Sequence, residues 1–145
     1  MQHDTGERRS TANQFIENML NERGQLLTLL LQISNLESGD SDGLDEDLLE
    51  EFCQMLVDYI AAGHFGLYER ISQGKERRKP IAKLAGVVYP KIEKSTGVAL
   101  EFSTKYNTER KRAGINNLQK DLSVLGETLT IRIEVEDELI AMMLK

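Results

Sequence analysis

The chain has no tryptophan, only two prolines and two histidines, and a single cysteine, Cys53. Each scarcity excludes something. One thiol cannot close an intramolecular disulfide, so a reducing cytoplasm is the simplest home. Cys53 reads as a small packed side chain near the core edge of its helix. His3 and His64 cannot supply histidine pairs, and no histidine and cysteine stand at zinc spacing. No stretch approaches the roughly 20 apolar residues of a membrane span. The opening residues, MQHDTGERRSTANQ, have no apolar signal core. A phosphate loop and a dinucleotide fingerprint are both missing. Nothing in this inventory points to an enzyme, and no cofactor is expected.

Abundant Leu, Glu, Lys and Arg, with few aromatics, favour an all-helical protein. The length of 145 residues suits one domain around one core. The expected fold is all-α: a single antiparallel four-helix bundle with long helices. Residues 1–10 are expected to form a flexible lead-in and 11–145 the bundle domain. The first helix is placed from about Ser10 to Asn35, where Phe15, Ile16, Met19, Leu20, Leu26, Leu27, Leu30 and Ile33 recur at three and four. Ser10 or Thr11 is a candidate cap. The second runs from about Asp45 to Gln73 and the third from Pro80 to about Arg110, with a kink expected at Pro90. The fourth spans about Ile115 to Leu144. Within it, Thr128 to Val135 alternates β-branched residues like a strand. No partner strand exists elsewhere, so the segment is read as helix.

Charge divides the chain. Residues 40–70 hold nine acids and one base, a net of −8, whereas residues 75–112 hold eleven bases and four acids, a net of +7. The acidic half argues for a basic protein surface as partner, and against nucleic acid. The basic half either attracts phosphate or faces the acidic half across the bundle. Between the first two helices, Asp40-x-Asp42-Gly43 resembles part of a calcium loop. The match fails at Ser38, in the first ligand position, and at Leu49, where a bidentate glutamate belongs. Asp42 or Asp45 is instead a candidate helix cap. Near the C-terminus, Glu134, Glu136, Asp137 and Glu138 read as a solvated face with Arg132. Some of them are alternatively placed to satisfy a buried arginine such as Arg23.

The segment Phe52 to Ile71, FCQMLVDYIAAGHFGLYERI, is the most informative. On a helical wheel, Leu49, Phe52, Leu56, Tyr59, Ile60, Gly63, Leu67 and Ile71 form one broad core stripe. The opposite face collects Glu51, Gln54, Asp58, Ala61, Ala62, Phe65 and Glu69. There a phenylalanine follows an aspartate by one heptad, over alanines, between glutamates. Such a face suits a basic, partly apolar partner. It also suits burial against a neighbouring helix, although burying both the Asp58 and Glu69 carboxylates without partners would be costly. His64, beside Phe65, reads as a partly buried, hydrogen-bonded imidazole rather than a general base.

The same segment resembles the Rsd/AlgQ family of bacterial anti-sigma regulators. The similarity is carried by Phe52, Cys53, Gln54, Leu56, Val57, Asp58, Tyr59, Ala62, Gly63, His64, Phe65, Tyr68, Glu69, Arg70 and Ile71. A weaker likeness extends over roughly residues 12–145, and Met19 stands where a family tryptophan is expected. The resemblance implies binding to region 4 of the primary sigma factor, a basic helix-turn-helix domain. Region 4 reads the promoter −35 element and docks on core polymerase. The bound bundle would cover both surfaces. On this reading Asp58 pairs with a partner cation, Phe65 is the apolar anchor, and Glu51 and Glu69 form an acidic rim. Gln54 lies within this face, Ala61 and Ala62 permit close approach, and Arg23 and His64 orient it from behind. The alternative is a helical adaptor or homo-oligomeric bundle, in which the Asp58/Phe65 face binds another regulator or a second copy. An exposed apolar face is also expected to allow weak self-association.

Overall fold

A computed structural model describes residues 2–35, 46–72, 78–106 and 117–144. The loop at 36–45, with its acid cluster and candidate caps, and the basic turn at 73–77 lie outside the described residues. The first helix, α1, is Gln2–Ser34. The second begins as α2, Glu46–Ala62, widens into a π-helical segment, Gly63–Tyr68, and ends as α3, Glu69–Ser72. Next come α4, Lys79–Tyr106, and α5, Leu118–Met143. Neighbours pack in the cycle α1, α2, α4, α5 and back to α1. The result is the expected antiparallel four-helix bundle, with no strand among the described residues.

The core is built from the stripes the sequence displays. Leu49, Phe52, Leu56, Tyr59, Ile60, Leu67 and Ile71 are all buried on the second helix. They meet Ile16, Met19, Leu26 and Ile33 of α1 and Ile81, Val88, Ile92 and Phe102 of α4. Phe52 and Phe102 pack edge to face, ring centres 5.8 Å apart. Burying one such side chain stabilises the fold by about 1.5–3 kcal/mol. Cys53 is fully buried, deeper than the expected core edge.

Several boundaries differ from the expectation. α1 begins at Gln2, so the lead-in continues the helix, and Ser10 and Thr11 lie inside it rather than at its cap. This stretch is polar, so apolar periodicity gives no sign of it, although Glu, Arg, Ala and Gln are good helix formers. α4 is described as far as Tyr106, and the expected end near Arg110 lies in residues 107–116, outside the described residues. Pro90 lies within α4, and both it and Gly86 face solvent. The lost hydrogen bond to the Gly86 carbonyl can therefore be replaced by water. The alternating run Thr128–Val135 is helical throughout.

The π segment is the main departure from regular geometry. Gly66 stands where a side chain would collide with the Phe15 ring, whose nearest atoms lie 2.1 Å from an ideal Cβ position. A Cβ at Gly63 would come within 2.9 Å of Glu136 Oε2 and 3.2 Å of Arg132 Nη2. Both glycines thus allow α1 and α5 to press against the backbone that carries Phe65.

Candidate functional site: an acidic helix face on a buried polar network

The outward face of the second helix has the polarity its sequence suggests. Glu51, Gln54 and Asp58 are exposed, and Ala61, Ala62 and Glu69 are half-buried. Phe65 is 65% exposed, so no helix of this bundle covers it. The alternative of burial against a neighbouring helix is excluded for this residue. Gln54 Nε2 donates to Asp58 Oδ1 at 3.1 Å and orients that carboxylate. Asp47 and Glu50 are also exposed on α2 and extend the acidic field. An exposed carboxylate surface of this kind steers a cationic partner into encounter.

His64 lies at the inner edge of this face, half-buried. Its ring meets that of Phe65 edge to face at 5.0 Å. It also stacks at 6.4 Å on Tyr68, which in turn stacks at 5.0 Å on Tyr89 of α4. The Tyr68 hydroxyl donates to the Ala85 carbonyl at 3.2 Å, tying the π segment to α4.

Behind the face lies a polar network that joins all four helices. Arg132 is fully buried, and Glu136 is 1% exposed. Arg132 Nε donates to Glu136 Oε2 at 3.0 Å, one turn along α5. Its Nη1 donates to Ser95 Oγ at 3.0 Å and Thr96 Oγ1 at 2.9 Å on α4. Its Nη2 reaches the Ile60 carbonyl of α2 at 3.4 Å. Glu136 Oε1 accepts from the buried Tyr59 hydroxyl and, at 3.3 Å, from Arg23 Nη2 of α1. Arg23 Nε donates to the Tyr59 oxygen at 2.9 Å, and its Nη1 donates to Asp137 at 2.7 Å.

This network corrects one expectation and supports another. Arg132 does not belong to a solvated face; among the described residues it is the largest fully buried side chain. Glu136 is buried with it, whereas Glu134 and Glu138 are exposed. Glu136 and Asp137 do satisfy Arg23. The signal for Arg132 and Glu136 is present in α5. Leu118, Leu122, Leu125 and Leu129 advance by four, three and four, and the same rhythm continues through 132, 136 and 139. Arg132 and Glu136 therefore occupy core positions, and their opposite charges neutralise each other there. Buried side-chain polar atoms among the described residues all have partners.

Burial disfavours charge on Arg23, but hydrogen bonds to Tyr59 and Asp137 outweigh this and hold its pKa above the ordinary value. Burial, with the Glu136 carboxylate beside it, raises the Tyr59 phenol pKa well above 10. Burial and Asp121 do the same to Tyr106, whose hydroxyl donates to Asp121 at the other end of α4. A raised phenol pKa contributes stability that is complete below pH 10 and is lost as pH rises through the folded value, because the unfolded chain releases its protons first. Above pH 10, phenolate absorbance should therefore rise together with loss of helical circular dichroism. Ionisation of Tyr59 and Tyr106 with the helix signal intact would contradict this.

Much of the basic half, residues 73–77 and 107–116, lies outside the described residues. Lys79, Lys83, Lys91 and Lys94 are exposed on α4 and, among the described residues, pair with no acid of α2. Lys105 pairs with Asp121 of α5 at 2.7 Å, beside a cleft of about 250 Å³ between α4 and α5. Met19, where the resemblance implies a tryptophan, is 1% exposed. It packs beneath the π segment and is not part of the outward face.

The fold and face together define a class: a four-helix bundle whose second helix exposes a phenylalanine within an acidic outward face. Comparison with known proteins refines this. The family model described as "Regulator of RNA polymerase sigma(70) subunit, Rsd/AlgQ" matches residues 2–144. The chain is 34% identical over 133 residues to the regulator of sigma D of Yersinia enterocolitica serotype O:8 / biotype 1B, covering 89% of this chain and 80% of that protein. Over 141 residues it is 33% identical to the regulator of sigma D of Shigella boydii serotype 4, covering 95% and 89% of the two chains. The corresponding protein of Escherichia coli O1:K1 / APEC is 32% identical over the same length and coverage. No solved structure matches. The chain belongs to the Rsd/AlgQ family of regulators of the RNA polymerase sigma(70) subunit.

Proposed function

We propose that this protein binds region 4 of the primary sigma factor through the outward face of its second helix. Bound there, it blocks the promoter −35 contact and the contact with core polymerase. The observation that carries this reading is Phe65, 65% exposed and framed by Asp58 and Glu69, in a chain of a sigma-regulator family. Phe65 enters an apolar pocket of the partner. Asp58, held by Gln54, accepts from a partner arginine or lysine. Glu51 and Glu69 form the rim, and Ala61 and Ala62 let the partner helix approach closely. His64 supports the Phe65 ring from the side, and Arg23 fixes α2 from behind through Tyr59. Among the described residues no helix is long and apolar enough to cross a membrane. Action beside polymerase in the cytoplasm is part of this proposal. No covalent step is involved, and DNA is excluded rather than bound.

Asp58 is exposed, so Asp58→Ala should leave thermal stability within about 0.5 kcal/mol of the parent. Its affinity for isolated region 4 should fall several-fold or more by calorimetry, and parent affinity should weaken with added salt. Equal binding by parent and variant would remove Asp58 from the interface.

A further inference from the structure

The partner surface does not stop at the edge of α2. Rings continue from Phe65 through His64 and Tyr68 to Tyr89, with successive centres 5.0, 6.4 and 5.0 Å apart. The two ends of this ladder are open to solvent, Phe65 at 65% and Tyr89 at 39%, whereas Tyr68 between them is 8% exposed. A chain of ring contacts therefore links two exposed rings, one on the acidic face and one on α4, through the buried Tyr68 at the seam between the π segment and α4. One turn beyond Tyr89, Glu93 is exposed on the same side of α4. Tyr89 thus combines a ring face with a nearby carboxylate, a setting that suits a cationic side chain stacked on the ring. The basic stripe of α4, including Lys83 and Lys94, lies well round the helix from Tyr89.

We infer that Tyr89 is a second anchor of the docking surface, receiving an arginine or lysine of the partner helix that lies across α2 and α4. The inference rests on the sigma region 4 reading, and it adds a contact on another helix and a chemistry for it. Binding through Phe65 alone would fix one point of the partner. Binding through Phe65 and Tyr89 fixes the direction of the partner helix over the bundle. The Tyr68 ring between them holds the two anchors at a set separation.

The test compares four proteins for affinity to isolated region 4 of the primary sigma factor: the parent, Tyr89→Ala, Tyr89→Phe and Val87→Ala. Val87 is 68% exposed on the same helix, far round from Tyr89, and serves as the surface control. Tyr89→Ala should weaken binding about tenfold or more. Tyr89→Phe, which keeps the ring, should bind within about threefold of the parent, and Val87→Ala should match it. Circular dichroism melts of each variant separate loss of fold from loss of contact; if Tyr89→Ala unfolds, Tyr89→Leu, which keeps bulk against Tyr68 but has no ring face, takes its place with the same expected loss and the same overturning result. Parent-like affinity for folded Tyr89→Ala, alongside parent binding, overturns the Tyr89 assignment and leaves the sigma reading intact. Failure of the parent itself to bind overturns the sigma reading and this inference with it.

Discussion

Arg132→Ala should destabilise the bundle by about 3–5 kcal/mol, enough to lower its unfolding midpoint by roughly 10 °C. The cause is not one lost contact. Arg132 contacts α2, α4 and its own helix, and its removal leaves Ser95 short of a donor and Glu136 short of its closest cation. A buried carboxylate that loses a partner keeps most of its desolvation penalty. Glu136→Gln separates charge from shape. It keeps a side-chain oxygen to accept from Tyr59 and Arg23, yet leaves Arg132 buried without an anion. It should lose much of the same stability. A loss below about 1 kcal/mol in either variant, measured by urea unfolding, would show that the network is not integral to the core.

The second large effect concerns binding. Phe65→Asp should abolish measurable association with region 4, and Phe65→Ala should weaken it by about thirtyfold, the loss typical of a central aromatic anchor. Neither should reduce stability by more than about 0.5 kcal/mol, because Phe65 is mostly in solvent already. Removing so exposed a ring should also lessen any self-association. Unchanged affinity for Phe65→Ala would move the interface off this face. A fall in stability equal to the fall in binding would instead mark Phe65 as structural.

Much of this was legible in the sequence, for physical reasons that differ between elements. The second helix has a core stripe and an outward face of opposite polarity, so the exposure of Glu51, Asp58 and Phe65 follows from its 3.6-residue period. The four-helix count follows from stripe lengths and the lack of strand partners. A solvated Arg132 is the reading that charge suggests, and register overturns it. The run Ile131 to Glu136 alternates apolar and charged residues, and charge alone suggests solvent. The three-four rhythm of the leucines before it points to the core instead. Tyr89 was missed for another reason. Its importance comes from a contact between α4 and the π segment, and single-helix periodicity carries no information about which rings meet across a seam. The π widening itself has no clear sequence mark beyond two glycines, Gly63 and Gly66. Their necessity becomes apparent only once Phe15 and the Arg132–Glu136 pair are in place.

The central claim is that this bundle captures region 4 of the primary sigma factor on the outward face of its second helix. Calorimetric titration of the parent protein with isolated region 4 from the same bacterium tests it most directly. The account predicts saturable one-to-one binding whose affinity falls as salt rises. No binding heat at several temperatures, with both proteins folded by circular dichroism, would contradict it.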